Sequence, residues 1–389
     1  MQKFGLSQPV RRVEDVRFLS GSGTYIDDTA PREALHGVFV RAEVAHAEIA
    51  SINTAKALAA PGVHGVYTGA DIEAAMENDM DAGRIPNRDG TLSVRPVRPI
   101  LATGRVRHVG EAVALVVAET LAAAKDAAEL VDIAYGELPA VVDPTEAEAP
   151  GQPQLHDEAP GNLCYDWGIG DHDATEHALA SAAHTVDLSL VNNRIVANAM
   201  ETRGAWGDWD GERLTMHYNG QGVWDLKGEL VTRLGLPEDK VAVFTPDVGG
   251  GFGMKGFNYP EHFALAHAIR SLGRPVRWLA ERGEGFQTDV AGRDQHAALV
   301  AGFDAEHRMI ALKIETTANL GAYLSAAAVY IASDLAARVL TGVYDIQNAW
   351  FNVRGVFTNT TPVDAYRGAG RPEAQYQLER LMDKAARVL

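Results

Sequence analysis

Five of the eight residues in Gly249-Gly-Gly-Phe-Gly-Met-Lys-Gly256 are glycine, and no other stretch restricts the chain as strongly. Glycine lets a backbone come close to a ligand and turn its N–H groups inward as anion-binding donors. The run follows residues 241–244, an apolar segment that reads as a strand. It precedes Pro260, which suits the first position of a helix because its missing N–H is not needed there. A flexible connector would need neither Phe252 inside it nor Pro260 behind it, so the run reads as a ligand-holding loop. Residues 251–256 also match the glycine pattern of dinucleotide-binding turns, with Glu281 after the next strand. A nicotinamide-dependent dehydrogenase using Gly251 to Gly256 is therefore an alternative. Against it, the helix begins late, and Glu281 lies further on than the usual spacing of about twenty residues.

A second glycine turn follows in Asp364-Ala-Tyr-Arg-Gly-Ala-Gly-Arg-Pro-Glu373. Arg367 stands before the turn, and Pro372 opens a helix. A guanidinium near a helix N-terminus suits an anion or an oxo group, although a lone arginine there is ordinarily solvated. The segment Asn219-Gly-Gln-Gly222 places Gln221 between glycines, after a strand and before a helix, where its amide can enter a pocket.

Bulk properties narrow the function classes. The 389 residues carry a net charge of -17, which repels nucleic acid and anionic lipid. The single cysteine, Cys164, rules out a disulfide or a cysteine-held iron–sulfur cluster within this chain. Its loop-like context reads as a buried structural thiol. The thirteen histidines lack metal-ligand spacing, so no metal ligand is assigned. No apolar run reaches the roughly 18 residues of a membrane span. Residues 1–7 lack the apolar stretch of a signal peptide. The expected location is cytoplasmic.

The pattern along the chain is α/β. Residues 35–44, 65–68, 111–118 and 131–135 read as strands, with helices near 54–60 and 120–130. The first thirty residues read as an extended arm. A proline- and glycine-rich stretch suggests a linker over 146–164, which separates an α/β domain at 1–145 from a second at 165–389. In the second part, Asp210-Gly211 marks a hairpin, and residues 223–234 read as a helix. Residues 276–280 read as a strand, and residues 297–303 with 309–316 as another hairpin. A final helix from Pro372 carries Ala374, Leu378, Leu381, Met382, Ala385 and Leu389 on one face, which suggests cover from a partner chain or further sequence.

Taken in order, four stretches are similar to the molybdopterin-binding large subunit of the xanthine oxidase / carbon monoxide dehydrogenase family of molybdenum hydroxylases. Arg12-Val-Glu-Asp-Val-Arg-Phe-Leu-Ser-Gly-Ser-Gly-Thr-Tyr-Ile-Asp-Asp28 resembles the N-terminal signature. Met200-Glu-Thr-Arg-Gly204 with Gln221-Gly222 resembles the next. Asp247-Val-Gly-Gly-Gly-Phe-Gly253 resembles the molybdopterin loop, and Ala365-Tyr-Arg-Gly-Ala-Gly-Arg371 the active-site loop.

The resemblance implies an α/β (α+β) fold in which a hammerhead-type domain precedes the first half of a molybdopterin-binding domain. It implies that Gln221 hydrogen-bonds an oxygen ligand of the molybdenum. Gly222, Gly250, Gly251, Phe252 and Gly253 would hold the cofactor, and Arg367, Gly368 and Ala369 would sit beside it. Gln221 and Arg367 are the residues implied in catalysis. The implied cofactor is molybdopterin, as its cytosine dinucleotide, with molybdenum. Iron–sulfur clusters and FAD would lie on partner subunits, and a further chain or segment would supply the second molybdopterin domain. The implied reaction hydroxylates an electron-poor carbon of an aldehyde or N-heteroaromatic with oxygen from water. The family's catalytic glutamate is expected beyond residue 389. Gly256 and Ala369 stand where purine-oxidising members have a glutamate and a phenylalanine, which argues against xanthine. No cysteine stands in the active-site loop to hold copper, as in carbon monoxide dehydrogenases. A noncatalytic remnant that binds a cofactor or partner is the alternative from another class.

Overall fold

The computed structural model describes residues 11–389; the reading made of residues 1–7 lies outside them. A seven-stranded sheet runs in the order Val241–Phe244, Leu214–Tyr218, Gly204–Trp209, Val276–Leu279, Leu35–Arg41, Ala112–Ala118, Val63–Thr68. A five-stranded sheet runs Leu163–Gly170, Asn348–Val356, Met309–Asn319, Gln295–Phe303, His184–Asn192. A smaller sheet joins Arg105–Val106, Ala47–Asn53 and Asp132–Glu137. The chain is thus a mixed α/β structure.

Local chemistry accounts for many of these elements. Ala112–Ala118 is buried at every position, as suits an unbroken apolar run covered on both faces. At the hairpin, the Asp210 carboxylate accepts the N–H groups of Glu212 at 2.9 Å and Arg213 at 2.7 Å, and Gly211 takes φ +98°. Pro260 opens the helix Pro260–Leu272, which Gly273 ends in a left-handed conformation. Ala264, Leu265, Ala268 and Ile269 of that helix are buried in the core of the seven-stranded sheet.

Several expectations change. Leu35–Arg41 pairs with Ala112–Ala118 on one side and with Val276–Leu279 on the other. Strands from both sides of residue 145 therefore share one sheet and one core. The stretch read as a linker is a buried strap rather than a free tether. Leu155 and Ala159 are fully buried, and the Asn162 amide donates to the carbonyls of Ala147 and Pro153, both at 2.9 Å. Its prolines make turns, but its apolar side chains fill the core of the five-stranded sheet. Cys164 lies on a strand rather than in a loop, with its Sγ 3.1 Å from the Val94 carbonyl. The first thirty residues include two helical turns, Asp15–Leu19 and Ile26–Thr29.

The final helix, Arg371–Val388, is also covered differently than expected. Ala374, Leu378, Leu381 and Ala385 pack into the chain's own core against the five-stranded sheet. The sequence could not reveal this, because the covering strands lie far away along the chain. Among the described residues, no helix is long and apolar enough to cross a membrane.

Candidate functional site

The strand Val241–Phe244 delivers the chain into the glycine loop, and the strand Leu214–Tyr218 beside it delivers Gln221. The Gln221 N–H donates to the Lys255 carbonyl at 3.0 Å, and its side-chain Oε1 accepts the Gly253 N–H at 2.7 Å. A Cβ on Gly251 would stand 2.5 Å from that Oε1, so only glycine lets the glutamine lie this close. The second glycine turn closes on the first. The Arg367 N–H donates to the Phe252 carbonyl at 2.8 Å, and the Arg367 guanidinium carbon lies 5.9 Å from the centre of the Phe252 ring.

The backbone here is strained in the manner common at ligand sites. Phe252 and Ala369, which are not glycine, hold φ of +54° and +39°. Gly250, Gly253 and Gly368 are also left-handed. Donors converge at the junction. Among the described residues, the N–H groups of Gly222, Gly250, Gly251, Phe252 and Gly368 have no hydrogen-bond acceptor, and neither do the Gln221 Nε2 nor the Arg367 guanidinium. A patch with this many unused donors suits an oxygen-rich, anionic group. Gln221, Phe252, Arg367 and Gly368 are all exposed.

Residues to which the sequence assigned no role brace this junction. Glu201 accepts the Gly249 N–H at 2.8 Å and the Ile26 N–H at 3.2 Å, and pairs with Lys255 at 3.1 Å. Burial lowers the Lys255 pKa, and the Glu201 carboxylate opposes that shift. Asp247 binds the Arg17 guanidinium through both oxygens and accepts the Thr24 N–H at 2.8 Å, which fastens the N-terminal arm to the glycine loop. Arg293 donates to the Tyr366 carbonyl at 2.8 Å and the Arg367 carbonyl at 2.9 Å, while pairing with Glu373 at 2.8 Å. It thereby fixes the turn that carries Arg367.

Beneath lies a buried ionic cluster. Arg203 reaches Asp289 at 2.7 Å, Glu261 at 3.0 Å and Thr288 at 2.7 Å, and lies over the Tyr259 ring at 3.7 Å. Burial alone would lower the Arg203 pKa, but Glu261 and Asp289 outweigh it and hold it above its ordinary value. Burial alone would raise the Glu261 pKa, but Arg203 and Arg41 pull it well below the usual carboxylate range. Asp364, at the start of the second turn, goes the other way. Burial pushes it up to about 6, although Ser325 and the N–H groups of Ala327 and Ala365 bond to it.

The glycine loop lacks the geometry of a dinucleotide fingerprint. A single 3₁₀ turn, Met254–Gly256, follows the glycines, and the α-helix begins only at Pro260. Their N–H groups therefore do not form a helix N-terminus.

Comparison with known proteins decides the relationship. The family model of the molybdopterin cofactor-binding domain matches residues 155–389, and that of the aldehyde oxidase and xanthine dehydrogenase a/b hammerhead domain matches residues 20–139. The chain belongs to the xanthine oxidase family of molybdenum hydroxylases. Within this family it is similar to the nicotine 6-hydroxylase large subunit of Paenarthrobacter nicotinovorans, with 35% identity over 99% of this chain and 47% of the relative. It is 33% identical to the carbon monoxide dehydrogenase large chain of Hydrogenophaga pseudoflava, over 97% of this chain and 48% of the relative. Among solved structures, quinoline 2-oxidoreductase from Pseudomonas putida 86 superposes with a TM-score of 0.91 at 35% identity, covering 98% of this chain and 48% of the other. The chain spans about half the length of these molybdenum hydroxylase relatives.

Proposed function

We propose that this chain forms part of a molybdenum hydroxylase large subunit that oxidises an electron-poor carbon of an aldehyde or N-heteroaromatic. The observation that supports this is the convergence of unused donors from the Gly250–Gly253 loop, Gln221 and the Arg367–Ala369 turn. Bound there, the molybdenum–molybdopterin cofactor, in its cytosine dinucleotide form, would supply two-electron oxidation with oxygen drawn from water. The chain's own residues hold and orient it. The N–H groups of Gly250, Gly251 and Phe252 bind its anionic or oxo groups, with Gly222 and Gly253 shaping the loop around them. Gln221 would offer its Nε2 donor to the cofactor's oxygen-rich end, because its Oε1 is already used by Gly253. The Arg367 guanidinium neutralises charge beside it, and Gly368 with Ala369 leave space above. On this reading residues 1–145 are the hammerhead part and 165–389 the first molybdopterin part, in a cytoplasmic enzyme. Iron–sulfur and FAD subunits carry electrons away, and the second molybdopterin domain completes the pocket.

An organic substrate fits better than carbon monoxide oxidised with copper. Copper needs a soft thiolate. The sole thiol, Cys164, is buried on a strand and bonded to the Val94 carbonyl, outside both glycine turns. The test is to assemble the complete enzyme, measure molybdenum by elemental analysis, and follow dye reduction with aldehydes and N-heteroaromatics. Stoichiometric molybdenum with turnover is the expected result. A molybdenum-free complex with nicotinamide-linked activity would overturn the reading, and stoichiometric copper with carbon monoxide turnover would overturn the substrate class.

A further inference from the structure

Arg98 is a largely buried residue whose guanidinium faces a cleft and has no partner among the described residues. Only 9% of it is exposed. Its backbone is pinned, with its N–H donating to Asp79 at 2.9 Å and its carbonyl accepting from Met80 at 2.7 Å. Its guanidinium, however, makes no hydrogen bond or ion pair to any described residue. Burying a charge in this way is costly unless something pairs with it.

The surrounding carboxylates are engaged elsewhere. Glu261 serves Arg203 and Arg41. Glu111 accepts from the Arg107 N–H at 2.6 Å and the Tyr323 hydroxyl at 2.7 Å. Asp364 accepts the Ala327 and Ala365 N–H groups. Asp79 pairs with Arg95 at 2.9 Å, and Glu229 with Arg233 at 2.8 Å. Asp81 and Asp225 stand exposed at the rim, where solvent and salt screen them.

Arg98 lines a cleft of about 420 Å³ together with Trp224, Phe257, Asn258 and Gly256. Behind Arg98 the space shrinks to a cavity of about 30 Å³, so only the cleft can take a ligand. The cleft opens beside the candidate site, since a Cβ on Gly256 would lie 3.9 Å from the Gln221 carboxamide. A guanidinium presents paired N–H groups that match a carboxylate, and the aromatic walls suit a flat ring.

We infer that Arg98 is a specificity-determining residue that binds the carboxylate of an N-heteroaromatic substrate lying in this cleft. This rests on the reading of the site given above and names its substrate class.

The test compares pyridine-3-carboxylate with neutral pyridine-3-carboxamide as probes of the assembled enzyme, by equilibrium dialysis. The carboxylate is expected to bind at least about tenfold more tightly. Arg98→Met is expected to bring the ratio to about one, and Arg98→Lys to keep part of it. If Arg98→Met does not fold, the wild-type ratio and the lysine variant still decide. Equal binding of both probes by wild type, as would follow if an acidic side chain from the rest of the subunit occupied Arg98, overturns the inference. A preference that Arg98→Met leaves unchanged also overturns it. Molybdenum content and quinoline turnover, measured on the same preparation, separate the two readings. Molybdenum present with no carboxylate preference sinks only the role of Arg98. Carboxylate preference without molybdenum sinks only the hydroxylase assignment.

Discussion

The side-chain oxygen of Gln221 accepts the Gly253 N–H at 2.7 Å, which commits one end of the carboxamide and leaves Nε2 as its only free donor. The orientation of the amide is thus set by the glycine loop. Gln221→Ala and Arg367→Ala are each expected to lower turnover of the assembled enzyme by about ten- to a hundredfold, the scale of a lost charge-assisted hydrogen bond of about 1.5–3 kcal/mol. Gln221→Glu keeps the acceptor for Gly253 but replaces the donor with an anionic oxygen, so it should fall at least as far. Thermal melting should stay near wild type in all three. Full activity and molybdenum content in both alanine variants would remove these residues from the site.

Gly253 holds φ +92°, and a Cβ there would come within 2.9 Å of the Ala365 carbonyl. Gly253→Ala should therefore part the two turns and lower molybdenum content. Gly235, the helix cap at φ +61° with nothing within 4 Å, is the control. Gly235→Ala places a side chain in the left-handed α conformation, at about 1–2 kcal/mol, without meeting another atom, and should retain molybdenum. Equal molybdenum content in the two variants would dissociate loop closure from cofactor retention.

Glu261 is held ionised by Arg203 and Arg41, so its folded pKa lies below its ordinary value of 4.5. A depressed carboxylate contributes stability that is fully present above pH 4.5 and is lost as the pH falls below it. Glu261→Gln takes one of two carboxylates from each of Arg203 and Arg41, which keep Asp289 and Glu284, and should cost about 1.5–3 kcal/mol at pH 7. The gap between wild type and variant should narrow below pH 4.5, as read from urea midpoints at several pH values. A gap constant from pH 7 to pH 3 would show that the charge of Glu261 does not matter.

Burial pushes the Cys164 thiol well above its usual pKa. The thiolate is the reactive form, so Cys164 in the folded protein should resist a disulfide reagent at pH 8 and react once denaturant is added. Rapid labelling without denaturant would place this strand in a locally open state.

What the sequence made legible was what local backbone chemistry decides. Asp210-Gly211 makes a turn wherever it sits between two apolar runs. Pro260 can open a helix and cannot continue one. The clustered glycines announced a close approach, although not that the thing approached was Gln221 and the Ala365 carbonyl. The bracing residues were hidden for the opposite reason. Glu201 and Arg293 have no local pattern, and their meaning lies in partners brought near by the sheets. The strap around Leu155 has the proline and glycine content of a tether. Its burial depends on a sheet whose strands come later in the chain. The apolar face of the final helix was hidden for a like reason, since the strands that cover it, His184–Asn192 and Gln295–Phe303, lie far back along the chain.

The position of Leu35–Arg41 between Ala112–Ala118 and Val276–Leu279 also bears on synthesis. One edge of this early strand finds its neighbour soon after translation begins, but the other must wait until Val276–Leu279 has left the ribosome. Until then an extended, apolar strand edge stands open to stray pairing. The nascent chain is therefore vulnerable to aggregation until residues 276–279 emerge, and a chaperone that covers this edge would act in that interval.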